Sequence, residues 1–118
     1  MECNMNKAIL IGRLTSDPVV RYSGELAISS FTLAIDRMKK RDGTKETDFP
    51  RVKAFGKTAE FCASYMKKGN RVAVEGRIET GSHIGESGDK VFTTEVRAER
   101  VEVIDWPEEK KDGEEFFF

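Results

Sequence analysis

A small all-β barrel of five strands, interrupted by one helix, is the fold class this sequence predicts. Three observations carry the prediction. Segments of alternating apolar and polar residues recur along most of the 118-residue chain. One segment switches to helical spacing, between the third and fourth of them. The last alternating segment changes phase partway, as a strand does at a bulge or a barrel corner.

The elements follow in order. Lys7 to Leu14 is a short run rich in branched apolar residues, expected as a strand buried on both faces. Asp17-Pro18 marks a turn. From Ala27 to Asp36 the pattern alternates, with Ala27, Ser29, Phe31, Leu33 and Ile35 on one face. Arg37 to Thr47 is a charged connection, cationic at its near end, and Asp42-Gly43 at its centre is a hairpin signal. Phe49 to Gly56 is the third strand. Ala59, Cys62, Ala63 and Met66 then fall on one helix face, with Thr58 as N-cap and Gly69 after the last turn. Arg71 to Glu79 alternates again, placing Val72, Val74, Gly76 and Ile78 together. Gly81 to Asp89 is polar and glycine-rich, expected as a second long hairpin loop. Val91 to Ile104 is the last strand, with a bulge expected near Glu99-Arg100. Five strands with a helix between the third and fourth is the element order of an OB-fold barrel.

Charge adds an asymmetry. Residues 1–105 hold 18 Lys+Arg and 16 Asp+Glu, whereas residues 106–118 hold 2 and 5. A slightly basic domain over 1–105 therefore carries an acidic tail over 106–118. The N-terminus lacks an apolar signal core, so secretion is not expected and a cytoplasmic setting is. No run approaches the roughly 20 apolar residues of a membrane span. Cys3, Cys62 and His83 are too few and too scattered for a zinc site, and no metal or cofactor is expected. Cys62 lies in the helical stripe and reads as a small core residue. No nucleophile–base pair or phosphate-binding Gly-Lys-Ser/Thr loop emerges, so no enzymatic activity is expected.

The informative constellation is in the third strand. Phe49, Arg51, Lys53 and Phe55 fall at period 2 and should share one face, with Val52 and Ala54 opposite. Two aromatics alternating with two cations suit a single nucleic-acid strand, whose bases stack on rings while its phosphates meet cations. The same rings would also suit a barrel end, a covering loop or a subunit interface. His83 is a solvated loop side chain or a third stacking surface. The last residues, Glu114, Glu115, Phe116, Phe117 and Phe118, suit either a docked tail or a peptide ligand for a basic-rimmed apolar pocket on another protein.

From about Asn6 to Ile104 the sequence resembles the bacterial and phage single-stranded DNA-binding proteins. The resemblance rests on Asn6 to Leu14, Asp17 to Tyr22, Phe31 to Ala34, Thr47 to Lys57, Tyr65 to Gly69, Val74 to Ile78 and Thr93 to Val96. It implies an OB-fold, usually assembled as a homotetramer, that coats single strands without base specificity during replication, recombination and repair. It implies stacking positions at Phe49 and Phe55, and at His83 in the long hairpin. Arg21, Arg51, Lys57, Lys67 and Lys68 would contact phosphates, and Arg13, Lys53 and Arg77 complete the expected DNA-binding set. The acidic tail with its aromatic end would recruit replication and repair proteins, although the family's Pro before the final Phe is replaced by Phe117. The alternatives are an OB-fold adaptor acting through protein contacts, or a binder of single-stranded RNA.

Overall fold

The computed structural model describes residues 3–105. Seven strands and one helix run in the order β1 (Ala8–Leu14), β2 (Val19–Ser23), β3 (Leu26–Asp36), β4 (Thr47–Asp48), β5 (Arg51–Phe55), α1 (Gly56–Tyr65), β6 (Arg71–Ile84) and β7 (Lys90–Asp105). Five of the strands close a ring. β1 pairs with β6, β6 with β7, β7 with β5, β5 with β3, and β3 returns to β1 through Arg13↔Ala34 and Leu14↔Leu33. The expected five-stranded OB-fold barrel is therefore present, with α1 between its third and fourth strands. β2 and β4 are short additions, each paired to β3.

Alternation accounts for most of the ring. In β3 the side chains of Ala27, Ser29, Phe31 and Leu33 are buried, and the intervening ones are not. In β5 Val52 and Ala54 are buried between Arg51, Lys53 and Phe55. Val72 and Val74 of β6 and Val96 and Ala98 of β7 complete the interior. The phase change falls where the sequence places it. Glu75 pairs with Arg100 and Gly76 with Ala98, so Glu99 is the extra residue of a bulge. Beyond it, Val101 and Val103 turn towards the core.

Several expectations are corrected. β1 is buried on one side only, for Ile9 and Ile11 are 68% and 53% exposed. A run of branched residues fits a doubly buried strand and an uncovered apolar face equally well. Val19–Ser23 is a strand, hidden in the sequence because four of its five residues are exposed. Phe49 is not in a strand. Pro50 has no N–H to give a ladder, and it separates β4 from β5, its carbonyl accepting from the Leu33 N–H at 3.1 Å. The helix starts and ends earlier than its spacing suggests. Thr58 lies inside it, Phe55 is its cap residue without a side-chain cap bond, and it stops at Tyr65. Ala59, Cys62 and Met66 are buried, but Ala63 is exposed. Gly69 does take a left-handed φ of 92°, in the turn after the helix. Ile78 is partly exposed, because the β6–β7 hairpin leaves the barrel at that level.

That hairpin overturns the expectation of a second long loop. β6 and β7 stay paired out to Ile84↔Lys90, and the connection is only Gly85 to Asp89. The Gly85 N–H donates to the Asp89 carbonyl at 2.9 Å, and Gly88 takes a positive φ. Polar composition reflects the solvation of both faces of this arm rather than irregular backbone. The Asp42-Gly43 turn is as expected. Gly43 has a positive φ, and the Asp42 carboxylate accepts from the Thr44 N–H and hydroxyl.

One buried polar side chain ties the end of the barrel together. The Asn70 carbonyl oxygen of the side chain accepts from the Lys67 N–H at 2.8 Å, and its amide donates to the Asp105 carbonyl at 3.2 Å. Its backbone carbonyl accepts from the Leu14 N–H. The turn after α1 is thereby fixed to β1 and β7 at once.

Candidate nucleic-acid interface

The outer face of β2, β3, β5, β7 and β6 collects most of the candidate residues. Register decides which side chains are neighbours. Thr32 lies opposite Arg51, Ser30 opposite Lys53, Lys53 opposite Arg97, and Arg97 opposite Arg77. Since Val52, Ala54, Val96 and Ala98 point inward, Arg51, Lys53, Phe55, Glu95 and Arg97 point outward.

This face has two halves. On one side a groove is lined by Ser16, Val19, Arg21, Ser30, Phe31, Thr32 and Arg51. It holds two guanidinium groups and several hydroxyls, and its lining includes no carboxylate. Arg21 and Arg51 are exposed, and neither makes an ion pair among the described residues. Such a surface offers charge and hydrogen-bond donors to an anion without an internal competitor.

On the other side the cations are partnered. The Lys53 ammonium lies 3.3 Å from the Glu95 carboxylate. Glu79 accepts from Arg77 at 3.0 Å and from Arg97 at 3.4 Å. These bonds hold the Glu79 carboxyl below the usual carboxylate range, the Arg77 hydrogen bond contributing most. The Arg97 guanidinium also sits 4.1 Å from the centre of the Phe55 ring. Arg97 is absent from the expected set. Its outward phase is legible beside Val96 and Ala98, but its place over Phe55 depends on the parallel β5–β7 pairing, which no local pattern reports.

The remaining candidates are spread more widely. Phe49 is 60% exposed at the β4–β5 break, on the approach to Arg51. His83 is exposed on β6, not in a loop. It pairs with Val91 on the same side of the arm as Glu79 and Glu95. Arg13 donates to the Gly69 carbonyl at 2.9 Å and lies 3.6 Å from Asp105. Lys67 and Lys68 belong to the same turn, and the Lys68 N–H donates to the Asp17 carboxylate, next to groove residue Ser16. Lys57 lies instead in the first turn of α1, beside Glu99 and Arg100 of the β7 bulge. Outside the expected set, two cations of the β3–β4 connection are tied up: Arg37 bonds Asp48 and Glu46, and Lys40 bonds Glu46. The acidic tail, Glu114 to Phe118, lies outside the described residues.

Cys62 is fully buried, and burial pushes its thiol up to about 12, which leaves it a packing residue without thiolate character. Among the described residues no group of three His, Cys, Asp or Glu side chains could hold a metal ion.

A five-stranded barrel of the OB type, carrying a face of arginines, lysines and phenyl rings, is the class these features define. Comparison with known proteins narrows it. The model of the single-strand binding protein family matches residues 5–104, and the chain belongs to that family. A Clostridium acetobutylicum protein named Single-stranded DNA-binding protein 3 is 44% identical over 104 residues, covering 86% of this chain and 72% of its own. A Single-stranded DNA-binding protein of Clostridium tetani is 39% identical over 115 residues, covering 96% of this chain and 79% of its own. One from Bacillus cereus is 42% identical over 103 residues, covering 86% and 61%.

Proposed function

We propose that this protein binds single-stranded DNA without base specificity and coats displaced strands during replication, recombination and repair. The carboxylate-free groove with Arg21 and Arg51 carries the reading, with exposed Phe49 just before Arg51 and Phe55 outward on the same strand as Arg51. Bases stack on the rings, and phosphates replace solvent around the guanidinium groups. Stacking and phosphate contacts carry no base code, so affinity comes from stacking and counterion release. Arg13, Lys53, Lys57, Lys67, Lys68, Arg77 and His83 extend the contact around the barrel. The family membership and the names of the relatives support this reading.

The working form is a homotetramer. Support comes from β1, whose residues Ala8 to Ile11 pair on one side only and present Ile9 and Ile11 to solvent. The acidic tail over 106–118 recruits replication and repair proteins through Glu114, Glu115 and Phe116 to Phe118. The protein acts in the cytoplasm, associated with the nucleoid.

Titration of a labelled oligo-dT, followed by anisotropy at low and high salt, tests the reading. Duplex DNA and RNA of the same length serve as competitors. The wild type should bind tightly, resist both competitors, and lose affinity with rising salt. Phe55→Ala should weaken binding by about 5- to 150-fold, the range of one base stack. Undiminished binding by the Phe49→Ala/Phe55→Ala double variant would place the interface elsewhere. Equal competition by RNA would favour an RNA-binding role.

A further inference from the structure

Lys53, Arg97 and Arg77 stand in one transverse row across β5, β7 and β6, because Lys53 registers with Arg97 and Arg97 with Arg77. All three are outward, and the row continues the face that holds Arg51 and Phe55. Three cations aligned across adjacent strands repel one another, and two carboxylates offset that repulsion. Glu79 accepts from both Arg77 and Arg97, and Glu95 pairs with Lys53. Arg97 is held a second time, by the Phe55 ring 4.1 Å beneath its guanidinium. A strand that reaches Phe55 therefore meets the Arg97 guanidinium as well.

We propose that Arg97 is a further contact residue for the DNA strand, and that Glu79 is its built-in counterion, surrendering Arg77 and Arg97 to phosphate as the strand binds. The inference rests on the single-strand binding proposed above. It divides the face into an open half, where Arg21 and Arg51 are unpaired, and a latched half, where each phosphate must displace a carboxylate. Displacement has a thermodynamic signature. A phosphate meeting Arg97 releases counterions from the DNA, but the freed Glu79 takes up a salt cation. Net ion release is therefore smaller than the number of cation–phosphate contacts. The arrangement moderates both affinity and its salt dependence.

The test measures oligo-dT affinity across a salt series for the wild type, Glu79→Gln and Arg97→Gln. Glutamine keeps the size of Glu79 and removes its charge. Glu79→Gln should bind about 1.4- to 5-fold tighter at low salt, the range spanned by an exposed ion pair. It should also steepen the log–log salt slope by about 0.7, the value for one single-strand charge. Arg97→Gln should weaken binding and flatten the slope by about the same amount. A Glu79→Gln variant that binds like the wild type, or more weakly, overturns the counterion role. An Arg97→Gln variant with an unchanged slope overturns the contact role. Failure of the wild type itself to bind oligo-dT would instead remove the functional reading, and this inference with it.

Discussion

Gly76 is where the barrel is least tolerant of an added carbon, and Gly76→Ala gives a prediction with a built-in control. A Cβ at Gly76 would lie 2.0 Å from the Arg97 carbonyl oxygen, 2.9 Å from its carbon and 3.0 Å from the Ala98 Cα. Ordinary contact begins at 3.4 Å. All three atoms are backbone, so no rotamer change relieves the clash, and the two strands must separate by more than an ångström. Overpacking that forces such shifts costs about 3 kcal/mol, the upper end of its usual range. For a domain of this size that lowers Tm by roughly 12 °C. Gly81 lies on the same strand, and its added Cβ would meet only the Thr93 Oγ1, at 3.5 Å. Gly81→Ala should therefore leave Tm within a few degrees of the wild type or raise it slightly. Thermal unfolding by circular dichroism at one protein concentration compares the three proteins. Equal Tm values for the two variants would refute the argument from close approach. The displaced carbonyl belongs to Arg97, so oligo-dT affinity measured well below Tm should fall in Gly76→Ala and not in Gly81→Ala.

Two further outcomes are expected. Ser29 is fully buried, and its hydroxyl finds no partner among the described residues, so Ser29→Ala should raise stability by about 1 kcal/mol in urea titration, at unchanged m-value. Asp42, Asp48, Glu75 and Glu79 all have carboxyls held below their ordinary range, by the Thr44 N–H, Arg37, Lys7 and Arg77 respectively. A depressed carboxyl stabilises the fold above its unfolded-state value and loses that contribution as pH falls through the folded one. Tm should therefore be flat through neutrality and decline below about pH 4, and a decline already complete at pH 6 would contradict this assignment.

The barrel was legible because its strands are half-buried. Ala27 to Leu33 and Arg51 to Phe55 alternate in sequence as they do in space, and the Glu99 bulge shows as a change of phase. Elements fixed by long-range packing were not legible. Val19–Ser23 has no buried face of its own and exists as a strand because β3 offers it an edge. Ile9 and Ile11 read as interior because hydrophobicity is local information, whereas the absence of a covering layer is not. The tip of the β6–β7 arm, Gly81 to Asp89, reads as a loop because a ribbon solvated on both faces carries no apolar alternation. For the site, the outward phase of Arg51, Lys53 and Phe55 was readable from β5 alone. Which of those cations would be free was not. Arg51 is open and Lys53 is paired because Glu95 arrives on β7, a strand far along the chain.

The order in which the ring closes has a consequence for synthesis. β1 finds its long ladder only with β6, through pairs such as Ala8↔Gly76, and β5 is joined to the last strand through Val52↔Val96 and Lys53↔Arg97 alone. A chain emerging from the ribosome can form the β2–β3 and β3–β5 pairings early. It cannot close until β7 has left the exit tunnel. Contacts this distant along the chain make for slow folding, on the scale of milliseconds to seconds. Through that interval the apolar residues of β1 and the open edge of β5 stand unpaired, a nascent state that invites chaperones or neighbouring nascent chains.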